Sequence, residues 1–238
     1  MQGGVWFSLI DKVYSRKNVW ASWCQTAAHK GSPGVEGLTM ERYQKDVVSN
    51  VYSTRAAVIH LHWQIFPKNG PFIEFSGHCN VPPDAERSIE RLSGRLREGT
   101  CQPKALRRTY IPKPDGKMRP LGIPTVEDRL VQGAIRHVIA PIFEKQFAPQ
   151  SDGFRPGKGC QDALRRVDER LKRGHRYVVD ADLKSYIDTI PHEKLMDRLG
   201  ERMADGRVLG LIAAFLKAKI MEDWQAWTPP AGASQGAV

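Results

Sequence analysis

Apolar positions recur at helical spacing along several stretches of the chain, and each stretch predicts an element. Trp6, Leu9, Ile10 and Val13 predict a helical segment within 5–30, and Val19, Trp20 and Trp23 begin a second, turn-rich one. GSPGVEGLT (31–39) holds three glycines and a proline and marks a loop. In AERSIERLSGRLREGT, Ile89, Leu92 and Leu96 form one face and the arginines the other, with Gly99 as the stop. VEDRLVQGAIRHVIAPIFEKQF predicts a helix with Leu130, Ile135, Val138 and Ile139 inward, disturbed by Pro141. QDALRRVDERLKRG is a basic amphipathic helix ending at Gly174, and VLGLIAAFLKAKI (208–220) is strongly helical.

The remaining patterns favour extended chain or loop. RRTYIPKPDGKMRPLGIPT (107–125) reads as two short strands joined by a P-D-G turn. RYVVDADLKSYIDTI predicts a strand over 177–183, followed by a helix from about Pro191, a residue suited to a first helical turn. Residues 46–85 change texture, being poor in charge and rich in aromatic and β-branched residues. They read as an insert without an assignable role, with K-N-G-P at 68–71 as a hairpin turn. The end, MEDWQAWTPPAGASQGAV, reads as loop. The order of elements predicts an α+β fold. Its expected segments are an N-terminal helical extension (1–45), the insert (46–85) and the main domain (86–238).

Composition narrows the function classes. No apolar run approaches the roughly 20 residues of a membrane span. MQGGVWFSLI lacks the basic head and cleavage site of a secretory signal, so the expected compartment is the cytoplasm. Cys24, Cys79, Cys101 and Cys160 are scattered without a C-x-x-C pair and read as isolated thiols. His60 and His62 have no acidic or Cys ligand nearby in sequence and read as alternation along a strand. Lys and Arg number 36 against 26 Asp and Glu, a net charge of +10. That balance suits a polyanionic partner, because phosphate neutralisation dominates nucleic-acid affinity.

Three stretches carry candidate chemistry. Around the P-D-G turn, antiparallel strands bring Lys113 and Arg119 together as a cationic fork for a triphosphate, with Lys117 on the turn. In SDGFRPGKGCQDAL, Phe154 is expected to anchor the loop while Arg155 projects toward a base or phosphate, with Lys158 close by. Asp180, Asp182 and Asp188 crowd an apolar, β-prone run, and buried carboxylates need a metal, a cation or hydrogen bonds. On a strand, Asp180 and Asp182 share one face, and a strand-end carboxylate with a backbone carbonyl suits Mg²⁺. A phosphatase-like D-x-D wants Thr or Val where Lys184 stands, and nothing upstream resembles a sugar-nucleotide transferase.

From about Ala85 onward the chain resembles a group II intron-encoded reverse transcriptase. The matching blocks, in order, are YIPKPDGKMRPLGIPTVEDRLVQGAI, IFEKQFAPQSDGFRPGKGCQDAL, RYVVDADLKSYIDTIPHEKLM and SQGAV, and SWCQTAAHKGSPGVEGLT resembles the family's leading segment. The resemblance implies right-hand polymerase fingers with the beginning of the palm, and RNA-directed DNA polymerisation by two-metal phosphoryl transfer with Mg²⁺. The implied partners are an RNA template or intron RNA, a DNA primer and deoxynucleoside triphosphates, with no membrane.

It implies triphosphate contacts from Lys113 and Arg119, and template contacts from Arg155. Lys158, Arg165 and Arg166 belong to the basic surface expected to grip nucleic acid. Asp182, with the Leu183 carbonyl, matches the metal-binding position. Tyr186 and Ile187 occupy the place of two phenylalanines, one of which excludes a ribose 2′-hydroxyl, and Ile187 departs from that pattern. Gln235 matches the start of a glutamine-glycine loop that packs on the nucleotide. The family's Tyr-x-Asp-Asp hairpin follows that loop, and Val238 lies inside it, before the second catalytic palm motif. The expectation is therefore that this chain alone does not polymerise DNA. The alternative, from another class, is a non-catalytic RNA-binding fragment of an intron maturase.

Overall fold

Strong helix patterns met their expectation where a buried stripe and a terminating signal coincide. The computed structural model describes residues 5–29, 31–40, 42–43, 57–61, 77–81 and 83–234. The chain divides into two compact units, one of Met1–Val138 with Ser185–Val238 and one of Ile139–Lys184. Among the described residues no helix is long and apolar enough to cross a membrane.

The first unit is built on α1 (Ile10–Val13), α2 (Arg16–His29), α3 (Pro83–Glu98) and the start of α4 (Val126–Glu144). Leu9, Val13, Val19, Trp23, Ile89, Leu92, Leu96, Leu130, Val131 and Val138 are its buried core. Helix α3 ends as its pattern predicts. Gly99 takes φ +75°, and the Gly99 and Thr100 amides return to the Leu96 and Arg95 carbonyls, closing the last turn. The first segment starts later than expected, because Trp6 is not helical. Its backbone instead pairs with Arg202 and Ala204. Asp205 then receives the Leu9 and Ile10 amides at 2.6 and 2.8 Å, and the Arg207 and Val208 amides at 3.0 and 3.2 Å. One carboxylate thus caps both α1 and α8 (Gly206–Leu216). Burial works against its charge, but these four donors win and hold Asp205 below the usual carboxylate range.

Helices α2 and α4 meet through a small polar network. Ser22 donates to the Leu130 carbonyl at 2.7 Å, and a Cβ on Gly133 would lie 2.2 Å from the Ser22 hydroxyl, so only glycine lets the helices approach. His137 lies between Asn18 and Gln25, each at 2.8 Å. The Asn18 amide nitrogen donates to the Ala134 carbonyl, which leaves its oxygen for the His137 Nδ1–H. Burial, and then Arg136, lower the His137 pKa to about 4. At the head of α4, Thr125 and Asp128 bond each other, Glu36 accepts the Val126 amide, and Arg129 reaches the Ser32 and Pro124 carbonyls. A Cβ on Gly31 would meet Arg129 at 2.3 Å, and one on Gly34 the Pro124 carbonyl at 2.8 Å. Gly31 and Gly34 of the 31–39 loop are there for close approach, whereas Gly37 stands in open space at φ +66°.

The predicted hairpin is β3 (Leu106–Pro112) with β4 (Met118–Ile123), paired from Arg107↔Ile123 to Pro112↔Met118. It belongs to a four-stranded sheet, β4-β3-β5-β6, in which β5 (Ile220–Glu222) runs parallel to β3 and β6 (Gln225–Trp227) turns back on β5. This corrects the loop expected for the end of the chain, and it ends the preceding helix at Leu216. Leu106, Ala218 and Ile220 form the small core beneath. Strands β1 (Ala57–Leu61) and β2 (Gly77–Val81) pair antiparallel within the insert-like segment. The K-N-G-P turn and His62 lie outside the described residues. Of the cysteines, Cys101 and Cys160 are free as expected, whereas Cys24 is disulfide-bonded.

In the second unit α4 runs through Pro141 to Glu144, and α5 (Cys160–Lys172) follows. Helix α5 buries none of its residues, and its Leu164, Val167 and Leu171 face solvent. The strand expected over 177–183 is absent: these residues take no regular structure, and Val179 is 92% exposed. Strand-prone residues do not hold a strand without a ladder partner, and no described strand pairs with this stretch.

The His137 network sets an acid limit on stability. A histidine with pKa about 4 when folded and about 6.5 when unfolded binds its proton first in the unfolded chain, so stability falls as pH drops from 6.5 toward 4. Between pH 7.5 and 5 the loss is about 2 kcal/mol. Thermal melts should therefore show a fall in Tm over this window that His137→Gln flattens; an equal fall in the variant would contradict the assignment.

Candidate nucleotide and nucleic-acid site

Strand register places the two hairpin cations. Arg119 pairs with Ile111, and Lys113 lies two residues beyond Ile111, so Lys113 and Arg119 share one face of the ribbon. The turn is closed by the Lys113 amide to the Lys117 carbonyl at 2.7 Å and the Gly116 amide to the Lys113 carbonyl at 3.0 Å, with Gly116 at φ +78°. Asp115 holds Lys117. Both Lys113 and Arg119 are exposed, and no described carboxylate pairs with either. The two cations of the expected fork are thus exposed on one face of the ribbon.

The same unit carries α6 (Tyr186–Thr189), entered through Ser185 at φ +53° and followed by α7 (His192–Gly200). Tyr186 and Ile187 are exposed at 54% and 40%. The stretch 231–234 is tied to them. The Ala233 amide donates to the Ile187 carbonyl at 2.9 Å, the Gly232 amide to the Ile190 carbonyl at 2.8 Å, and His192 Nε2–H to the Gly232 carbonyl at 2.7 Å. Gly232, at φ +85°, leaves no room for a side chain, since a Cβ would sit 2.5 Å from the Asp188 carbonyl. The other end of the stretch reaches β4: a Cβ on Gly122 would fall 1.8 Å from the Ser234 hydroxyl. Residues 231–234 therefore span from α6 to the strand bearing Arg119. Sequence reading missed this link because its signals are single glycines whose neighbours are remote in sequence. Gln235 lies outside the described residues.

In the second unit the F-R-P-G loop is arranged opposite to expectation. Phe154 is fully exposed at φ +56°, and Arg155 is the anchor. Its guanidinium pairs with Glu144 at 2.7 Å, donates to the Ala148 and Ser151 carbonyls at 2.8 and 2.9 Å, and lies over the Phe147 ring. A planar guanidinium can satisfy several loop acceptors at once, which a phenyl ring cannot. Lys158 is likewise turned inward, onto the Pro149 and Ser151 carbonyls and Asp152. Arg166 also pairs with Asp152, whereas Arg165 pairs only with Asp162 one turn away and keeps its side chain 68% exposed.

Asp182 and Leu183 belong to this unit, Tyr186 and Ile187 to the other. Asp180 and Asp182 lie on the exposed, unpaired stretch. Among the described residues no three His, Cys, Asp or Glu side chains converge as a metal site. Magnesium demands a near-octahedral set of oxygens, and the described side chains do not supply a formed cage.

The family model for reverse transcriptase (RNA-dependent DNA polymerase) matches residues 111–238, more than half of the chain. The group II intron-encoded protein LtrA of Lactococcus lactis subsp. cremoris is 38% identical over 155 residues, 65% of this chain and 26% of that protein. Protein YkfC of Escherichia coli K12 is 42% identical over 135 residues, 55% of this chain and 35% of that protein. The putative COX1/OXI3 intron 1 protein of Saccharomyces cerevisiae is 31% identical over 151 residues, 63% of this chain and 18% of that protein. The chain thus spans roughly a quarter to a third of the length of the first two. Its mixed α and β architecture with a small sheet agrees with the fingers and partial palm of such an enzyme. The chain belongs to the reverse transcriptase (RNA-dependent DNA polymerase) family.

Proposed function

We propose that this chain is the nucleotide- and template-facing part of a group II intron-type RNA-directed DNA polymerase. The observation that carries the reading is the exposed Lys113–Arg119 face, built on a strand that 231–234 link to Tyr186 and Ile187. A triphosphate would take bidentate contacts from Arg119 and a point charge from Lys113, each charge-assisted. Ile187 would line the sugar with an aliphatic rather than an aromatic wall. Asp182 is the candidate Mg²⁺ ligand, in the position the family's metal-binding aspartate occupies. Because its segment is unpaired, the chain by itself would bind nucleotide without joining it to a primer. RNA template or intron RNA and a DNA primer are the proposed partners, met in the second unit chiefly through Arg165. Arg155 and Lys158 would act there by shaping the loop.

Two measurements test this reading. The purified chain should bind a deoxynucleoside triphosphate with Mg²⁺, and Lys113→Ala with Arg119→Ala should weaken that binding at least tenfold, since charged hydrogen bonds contribute about 1.5–3 kcal/mol each. It should not extend a primer; extension abolished by Asp182→Ala, or unchanged nucleotide affinity in the double variant, would contradict the proposal. For single-stranded RNA, Arg165→Glu should lower affinity and flatten the salt dependence by about 0.7 or more for each phosphate that is no longer neutralised. A salt slope identical to that of the unaltered chain would remove Arg165 from the interface.

A further inference from the structure

The β5–β6 hairpin turns through Asp223 and Trp224, at φ +47° and +65°. A two-residue turn with left-handed backbone at both positions is met at least cost by Asn-Gly or Asp-Gly. A bulky aromatic there is a conformational outlier, and residues held in such regions gather at functional positions. Burial within the fold does not offset the strain, because Trp224 is 96% exposed, whereas Trp20 and Trp23 lie in the core. The chain carries both strain and a solvated indole at this tip with no intramolecular return.

Its surroundings point to a class of ligand. The register Arg107↔Met221 and Ile220↔Trp227 sets Arg108, Glu222 and Trp227 on one face of the sheet. The Arg108 guanidinium lies 5.6 Å from the centre of the Trp227 ring, and its buried Nε donates to no described group. Tyr110, on the same face, is half-exposed, with its hydroxyl bonded to Glu222. Lys217 and Lys219 stand exposed where the chain enters β5. Cations therefore outnumber the two acids, Glu222 and Asp223, around exposed rings. Single-stranded nucleic acid is held by that combination, with bases on aromatic faces and phosphates on cations. A protein partner would call for a contiguous aliphatic patch, and the rings here are interspersed with Gln225, Glu222 and Asp223.

We propose that the hairpin tip is a stacking site for an unpaired base of single-stranded nucleic acid, with Trp224 as platform and Arg108 and Lys219 meeting the flanking phosphates. The inference rests on the proposed function only in that this chain binds nucleic acid. The test uses the full chain, a labelled oligouridylate of about twenty nucleotides and an RNA duplex of equal length. Trp224→Gly should weaken oligouridylate binding about tenfold, as loss of one stacked base implies. It should leave the salt slope and duplex affinity unchanged, and Tm unchanged or higher, since glycine relieves the turn. Trp224→Phe should keep most of the affinity, and an iodouridine-substituted strand should crosslink at Trp224. Equal oligouridylate affinity in Trp224→Gly, or an equal loss on the duplex, overturns this site while leaving the nucleic-acid reading intact. Failure of the unaltered chain to bind either probe overturns both.

Discussion

A strand exists only where a neighbour takes its backbone hydrogen bonds, and that constraint decides which parts of this chain are formed. Strand β3 has neighbours on both sides, β4 antiparallel and β5 parallel, so the ribbon carrying Lys113 and Arg119 is fixed within a sheet. YVVDADL has equal or better strand-forming residues and no partner among the described strands, and it lies open to solvent. The same physics thus orders the strands that carry Lys113 and Arg119 and leaves Asp182, the candidate metal ligand, on an unpaired segment.

Close approach then does what pairing alone cannot. Gly232 and Gly122 let residues 231–234 lie against α6 and β4 at distances no Cβ would allow. Gly31, Gly34 and Gly133 do the same around the head of α4 and its crossing with α2. Asp205 ties the N-terminal segment to α8 by giving one carboxylate to four amides. These links join segments roughly 40 to 200 residues apart, which is how short elements such as α1 and α6 are held although neither has the length to stand alone.

Much of this was legible in the sequence. The apolar stripe and Gly99 placed α3, the P-D-G turn placed the β3–β4 ribbon, and the ordered motif blocks placed the family. What failed to show had physical reasons. The Asp223-Trp224 turn puts a tryptophan at a left-handed position where glycine is usual, so the β5–β6 hairpin looked like loop. Arg155 and Phe154 exchanged their expected places because the loop's own carbonyls needed a donor more than its core needed a ring. The strand expected over 177–183 did not form, because strand propensity alone does not supply the partner that would realise it.

Amide hydrogen exchange of the purified chain, followed segment by segment, tests most directly whether strand pairing holds the β3–β4 ribbon and leaves the 177–183 segment open. Slow exchange is predicted through Leu106–Pro112 and Met118–Ile123 under the same conditions in which Tyr177–Leu183 exchanges at close to the rate of an unstructured peptide. Protection of Tyr177–Leu183 comparable to that of Leu106–Pro112 would contradict this, showing that the aspartate-bearing segment is paired within this chain after all.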